Sequence, residues 1–115
     1  MDGNTQTLFD SSGDNSAQVC RSSGGYLDAI EVINPNTAQV FLQIFDRAAT
    51  GVSVGTTTPN LVFHIPPGNG TTSGARSEVF YRPISFINAV TYACTTTATG
   101  SGNPTTGLTV SMVHH

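Results

Sequence analysis

The segment YLDAIEVINPNTAQVFLQIF, residues 26–45, sets two short apolar runs on either side of the tetrad Asn34–Thr37. The side chain of an Asn that opens a turn hydrogen-bonds the backbone ahead of it, and a Pro in the second position presets φ. The tetrad, with Asn34 followed by Pro35, is therefore typical of a type I turn. We predict two β-strands, over residues 26–33 and 38–45, joined as a hairpin.

The second of these strands is apolar on both faces. Val40, Leu42 and Ile44 share one face, and Phe41 and Phe45 share the other. Such a strand is buried on both faces, or has one face in an interface. Two hypotheses for the phenylalanines follow: they cover a second layer of the same core, or they contact a partner molecule.

Similar short runs recur along the rest of the chain, at residues 17–23, 60–67, 77–87, 89–99 and 107–115. Pro83 marks the run 77–87 as an edge strand or a bent strand. No window shows a 3.6-residue apolar period, and Thr, Gly and Pro are too frequent for a long helix. We predict an all-β protein: one β-sandwich of about seven short antiparallel strands over residues 17–115, Ig-like or jelly-roll-like in connectivity.

Residues 1–16 differ from this pattern. They are rich in Asn, Thr, Gln, Ser, Gly and Asp, and Leu8 and Phe9 are the apolar exceptions. We expect a flexible N-terminal arm that is either disordered or docked on a neighbour. In the docked arrangement, Leu8 and Phe9 are its anchors.

Charge excludes several function classes. Only 10% of the 115 residues are charged; there is no lysine, and four arginines face seven acidic residues, for a net charge of −3. Nucleic-acid binding and binding to anionic membranes both need a dense basic surface, which this chain lacks. A Ser/Thr-rich surface has little charge to desolvate, so it can be buried against a partner at low cost. The N-terminal segment has no apolar core of a signal peptide, so we expect a protein made and retained in a cytoplasm.

The letters Gly51–Gly55 spell G-x-S-x-G, the motif of a hydrolase nucleophile elbow. That elbow needs a strand leading into the serine and a helix leading out of it. Three threonines and Pro59 follow instead, and the nearest base, His64, falls within a predicted strand. We interpret Ser53 as part of a loop, and we predict no catalytic residue and no enzymatic activity.

Metal and cofactor sites are not predicted either. The three histidines, His64, His114 and His115, have no recognisable ligand spacing with other residues. Cys20 and Cys94 lie far apart and fall within predicted strands. Without an export signal, free thiols are expected, and a disulfide between them is the alternative.

The order of the turn motifs resembles a small β-domain of tailed-bacteriophage virion structural proteins. The resemblance covers about residues 26–99 and rests on Asn34-Pro35, on Phe45-Asp46, on the segment Val54–Pro59, on Pro66–Gly68 and on the later strand TYACTTTAT. Each motif alone is common in turns, so the resemblance rests on the order in which they occur. The family contributes no catalytic residue to this chain.

The resemblance implies a virion component, and a single domain with an arm is most similar to a capsid decoration (cement) protein. Such a protein binds the outside of the head, with the major capsid protein as its partner, and is often a homotrimer. It is made in the host cytoplasm and located in the virion. Interface residues expected from the sequence are Leu8, Phe9, Phe41 and Phe45.

Three alternatives remain open. One is a head-fibre, tail or baseplate module of the virion. Another is a carbohydrate- or receptor-binding sandwich that uses Tyr26, Asp28, Tyr81 and Arg82. The third is a small hydrolase whose activity would depend on Ser53.

Overall fold

The computed structural model describes residues 5–115, which form eight β-strands and a single 3-10 turn at Ala49–Gly51. The strands are β1 (Gln6–Gly13), β2 (Gln18–Arg21), β3 (Gly25–Asn34), β4 (Val40–Phe45), β5 (Leu61–Ile65), β6 (Gly74–Phe86), β7 (Val90–Thr95) and β8 (Leu108–His114). They form two four-stranded antiparallel sheets, ordered β1-β8-β3-β6 and β2-β7-β4-β5. The prediction of an all-β sandwich is confirmed, and β6, which contains Pro83, is an edge strand.

The strand pairing follows a long hairpin that has been rolled up. β1 pairs with β8, β2 with β7, β3 with β6 and β4 with β5. The further pairs β3–β8 and β4–β7 complete the two sheets. Eight strands in this order form a jelly roll, which decides between the two connectivities that the sequence left open.

The predicted hairpin over residues 26–45 is wrong, because β3 and β4 belong to different sheets. The buried side chain of Asn34 stabilises the crossing of the chain from the first sheet to the second. Its Nδ2 donates to the carbonyl oxygens of Ala38 at 2.9 Å and Pro66 at 3.1 Å, and its Oδ1 accepts the N–H of Asn36 at 2.9 Å. These bonds satisfy backbone polar groups where the chain passes from one sheet to the other.

The core lies between the sheets and consists of the inward-facing residues of each strand. Burial of an aliphatic side chain contributes about 1.5–3 kcal/mol relative to exposure. The sheets therefore cohere mainly through this layer, whose fully buried members include Leu27, Val32, Val40, Leu42, Ile44, Ile65, Leu108, Val110 and Met112.

The expected flexible arm over residues 1–16 differs from the structure, which places Gln6–Gly13 in β1 along the edge of the first sheet. The carboxylate of Asp10 accepts the N–H of Ser12 at 2.9 Å, and the register shifts between Asp10 and Gly13. A Cβ at Gly13 would lie 3.0 Å from the Val110 side chain, so glycine permits the close approach there. Residues 1–4 of the expected arm lie outside the described residues.

Two long connections cover the outer face of the second sheet: residues 46–60, after β4, and residues 96–107, after β7. Gln43 Nε2 donates to Thr95 Oγ1 at 2.7 Å and to the carbonyl of Gly100 at 3.0 Å. The Thr91 hydroxyl donates to the carbonyl of Arg47 at 2.6 Å. Polar side chains of the sheet thus hold a third layer made of loop.

The G-x-S-x-G segment belongs to the first of these connections. The carbonyl of Ser53 accepts the N–H groups of Thr56 and Thr57, which makes a turn where an elbow would need a helix. Gly55 has φ +95°, and a Cβ there would lie 2.9 Å from that of Ser101 in the other connection. The glycine therefore serves a left-handed turn at the contact between two loops.

Asp46 fastens the end of β4 to the connection between β6 and β7. Its carboxylate accepts the backbone N–H groups of Ile87 at 2.9 Å, Asn88 at 2.7 Å and Ala89 at 3.3 Å. Partial burial acts to raise the pKa of Asp46, but the three N–H donors outweigh it and lower the pKa below its ordinary value. The residue following Phe45 is thus a structural anchor.

Candidate interaction surface

The two sides of the sandwich, where the edge strands of the two sheets face one another, are built differently. On the side of β5 and β6, the rings of Phe63 and Phe80 lie 5.9 Å apart. The Arg76 guanidinium lies 5.3 Å from the Phe63 ring centre, and its Nε is 2.9 Å from Glu78 Oε2. We call this the closed side, because aromatic rings and a paired arginine fill it.

The side of β1 and β2 contains a groove of about 300 Å³. We call it the open groove. Both apolar and polar residues line it: Leu8, Phe9, Asp10, Ser12, Asp14, Gln18, Val19 and Tyr92. The lining described by the structure includes two carboxylates and no Arg or His, so the groove carries negative charge.

Within residues 5–115, a single side-chain hydrogen bond spans the floor of the open groove. Tyr92, on β7 of the second sheet, donates its hydroxyl to Asp10 Oδ2, on β1 of the first sheet, at 2.7 Å. Burial raises the pKa of Tyr92 well above its ordinary value, and the bond to Asp10 raises it further. The hydroxyl therefore remains a donor at any ordinary pH and ties the two sheets together.

Asp14 stands at one end of the groove. Its Oδ1 accepts the N–H of Ser16 at 2.9 Å, and its backbone carbonyl accepts the N–H of Cys94 at 2.7 Å. Burial, followed by the charges of Asp10 and Asp14, raises the pKa of the Cys94 thiol to about 12. That thiol is therefore protonated at neutral pH and behaves as a small core residue.

Cys20, on β2, is also a free thiol, as expected from the sequence, and the alternative of a disulfide to Cys94 is not formed. Burial raises the pKa of Cys20 to about 12, although the charge of Arg21 acts in the opposite direction. Neither thiol is therefore activated as a nucleophile.

Of the four residues expected at an interface, Leu8 and Phe9 lie together at the open groove. Leu8 faces inward and packs against the core cluster. Phe9 pairs with Ser111 on the outer face of the first sheet and is 68% exposed. A large exposed aromatic side chain at the rim of a groove is typical of a protein-binding surface.

Phe41 and Phe45 lie elsewhere, on the outer face of the second sheet. Phe45 is 0% exposed, so it has no surface for a partner, and its expected interface role is wrong. Its full burial fits the other hypothesis, in which it covers a second layer of the same core. Phe41 is partly buried, and its ring meets that of His64 edge-on at 5.4 Å.

The residues expected for carbohydrate binding divide into two groups. Tyr26 stacks on His115 at 4.9 Å, and His115 Nδ1 lies 2.7 Å from Asp28 Oδ2. Tyr81, 97% exposed, and Arg82 lie where β6 carries extra residues relative to β3. An irregular edge strand presents them outward.

Within residues 5–115, no group of three or more His, Cys, Asp or Glu side chains is arranged to hold a metal ion. The same part of the chain contains no helix with the length and apolar character needed to cross a membrane.

Sequence reasoning missed most of the open groove. Asp10, Asp14 and Gln18 stand in segments without apolar alternation, and Val19 and Tyr92 were indistinguishable from core residues. The signal that was present is the isolated pair Leu8-Phe9 in a polar segment. Comparison of the chain with protein-family models, with curated proteins and with solved structures finds no match.

Proposed function

We propose that the protein is a structural component of a tailed-phage virion: a capsid decoration (cement) protein that binds the outside of the head and stabilises it. Its partner is the major capsid protein, it acts as a homotrimer, and it performs no catalysis. The family resemblance supplies the virion context. One structural observation carries the binding role: the side of the sandwich left open between β1 and β2, with Phe9 exposed at its rim.

The physical mechanism is linkage. A protein that binds the assembled shell, and not its separated subunits, stabilises the shell by the free energy of that binding. Many copies that each bridge several subunits add avidity to individually weak contacts. An uncharged Ser/Thr-rich surface suits this role, because little charge is desolvated when it is covered.

The test begins with molecular mass in solution, where a homotrimer gives three times the 12.0 kDa of the chain. Co-sedimentation with emptied heads of the parent phage then measures binding. Truncation of an aromatic anchor costs more than about 1.4 kcal/mol, so Phe9→Ser should weaken binding at least about tenfold. The matched control is Val79→Ser on β6, whose side chain is 85% exposed, and this variant should bind like the wild type.

Protein that fails to sediment with heads would exclude the decoration role. Sedimentation with purified tails or baseplates instead would favour the other virion module. If Phe9→Ser and Val79→Ser bind heads equally well, the exposed ring of Phe9 is not part of the contact surface.

A second candidate function, binding of a carbohydrate receptor, is favoured by the exposure of Tyr81 beside Arg82 on β6. An aromatic face with a nearby guanidinium can stack on a sugar ring and donate hydrogen bonds to its hydroxyls. A glycan array tests this function directly. Binding that is lost in Tyr81→Ala would support it, and an array without binding would count against it.

A further inference from the structure

The free edge of β1 is weakly protected over the segment Gln6–Asp10, although Asp10 carries a charge and the register shifts between Asp10 and Gly13. Proteins guard their edges with short strands, bulges, prolines or charges. β2 and β5 have four and five residues, and β6 carries Pro83 together with an irregularity opposite Leu27–Ala29. β1 has eight residues, and its segment Gln6–Asp10 pairs regularly with β8 and contains neither proline nor a basic residue.

The open groove lies directly beside this edge. A strand added to β1 would extend the first sheet and lie across the groove, with every second side chain pointing inward. Leu8 faces inward from β1 and offers an apolar contact to such a side chain. The closed side offers no equivalent space, because Phe63, Phe80 and Arg76 occupy it.

The charge of the open groove indicates which side chains an added strand should carry. The groove contains Asp10 and Asp14 and no described basic lining residue. Asp10 already accepts from Tyr92 and Ser12. Asp14 accepts a single backbone N–H from Ser16, so its carboxylate has remaining acceptor capacity. A basic side chain complements this end of the groove, and an acidic one is repelled.

We propose that β1 receives an extended segment of the partner protein as an added strand, with an apolar side chain against Leu8 and a Lys or Arg side chain at Asp14. Main-chain hydrogen bonds to β1 give the affinity, and the groove gives the sequence preference. This inference rests on the proposed function only for the identity of the partner, the capsid protein. The recognition chemistry follows from the groove and the edge.

The test uses a positional-scanning library of nine-residue peptides, acetylated and amidated, with the full chain. We expect selected peptides to alternate apolar and polar residues and to prefer Lys or Arg at one position. In a free edge strand, alternate N–H groups face solvent. A bound peptide should therefore slow hydrogen exchange at every second amide of Gln6–Asp10 by about tenfold or more.

The matched variants are Asp14→Asn in the groove and Glu78→Gln on the closed side. A partly exposed charge pair changes affinity by only a few-fold, so Asp14→Asn should weaken the selected peptide about threefold to fivefold. Glu78→Gln should leave it unchanged. Absence of binding, binding without protection of β1, or equal effects of the two variants would each overturn the strand-addition proposal.

The outcome separates this proposal from the proposed function. Peptides that protect β1, combined with no sedimentation on heads, would keep the added strand and exclude the capsid as the partner. Sedimentation on heads with no peptide effect on β1 would keep the decoration role and remove the added strand.

Discussion

The closed and open sides of the jelly roll occupy equivalent places in the rolled hairpin but differ in what fills them. On the closed side, Phe63, Phe80 and Arg76 pack across the gap between β5 and β6. On the open side, a groove of about 300 Å³ remains between β1 and β2, and the side-chain hydrogen bond from Tyr92 to Asp10 spans it. The contrast separates a side that stabilises the fold from a side that is free to bind.

The largest effect is expected when an aromatic ring is removed from the closed side. Phe63→Ala deletes a partly buried ring that packs against the core, Phe80 and Arg76, so the free energy of unfolding should fall by about 2–3 kcal/mol. Urea denaturation measures it. Phe9→Ala on the open side is the matched control, and its change should stay within about 0.5 kcal/mol because that ring is largely exposed.

Equal losses in the two phenylalanine variants would contradict the contrast. The two sides would then stabilise the fold alike, and the exposure of Phe9 would not mark a surface reserved for a partner.

A smaller effect is expected when the hydrogen bond between Tyr92 and Asp10 on the open side is removed. Tyr92→Phe keeps the buried ring and removes the hydroxyl that donates to Asp10, so the free energy of unfolding should fall by about 1–2 kcal/mol. Thermal and urea unfolding of the same samples measure it. Tyr81→Phe removes a hydroxyl from a 97% exposed ring and should change nothing. A Tyr92→Phe protein as stable as the wild type would show that the bond does not hold the sheets.

The same contrast explains which elements the sequence could predict. Seven strands were predictable because each is a short run rich in apolar residues that is bounded by turn residues. The eighth, β1, was predicted as an arm because its inward positions are Gln6, Leu8 and Asp10. Two of these three are polar, and Asp10 lines the open groove. The absence of an apolar pattern there is therefore not a lack of structure, because the segment forms an edge strand.

The open groove itself was beyond sequence reasoning for a topological reason. Asp10 and Tyr92 meet across 82 residues of chain, and that meeting depends on β1 and β7 lying in facing sheets. Strand pairing in a jelly roll is non-local, and it is set by how the connections cross between the sheets. The polar tetrad after β3 looked like a hairpin turn, because its local chemistry is the same whether the chain returns along β3 or crosses.

The smallest expected effect concerns a titratable group on the open side. His114 lies on the inward face of β8, 5% exposed, and its Nδ1 has no hydrogen-bond partner among residues 5–115. Burial lowers the pKa of His114, and the charges of Arg21 and His115 act in the same direction, whereas Asp28 acts against them. In the unfolded chain an exposed histidine binds its proton near pH 6.5. Below that pH the unfolded state therefore gains a proton that the folded state does not yet bind.

The stability that His114 contributes should accordingly be complete above about pH 6.5 and decline as the pH falls towards the pKa of the folded state. The slope is at most about 1.4 kcal/mol per pH unit, the limit for one proton, and Asp28 reduces the effect. Urea unfolding between pH 7.5 and 5.5 measures the decline, and His114→Gln should remove it while leaving the titration of the carboxylates at lower pH. Identical profiles for the two proteins would contradict this prediction. They would mean that water or a rearranged side chain reaches His114 through the open groove and solvates its charge. The groove would then extend further between the sheets than Leu8 and Tyr92.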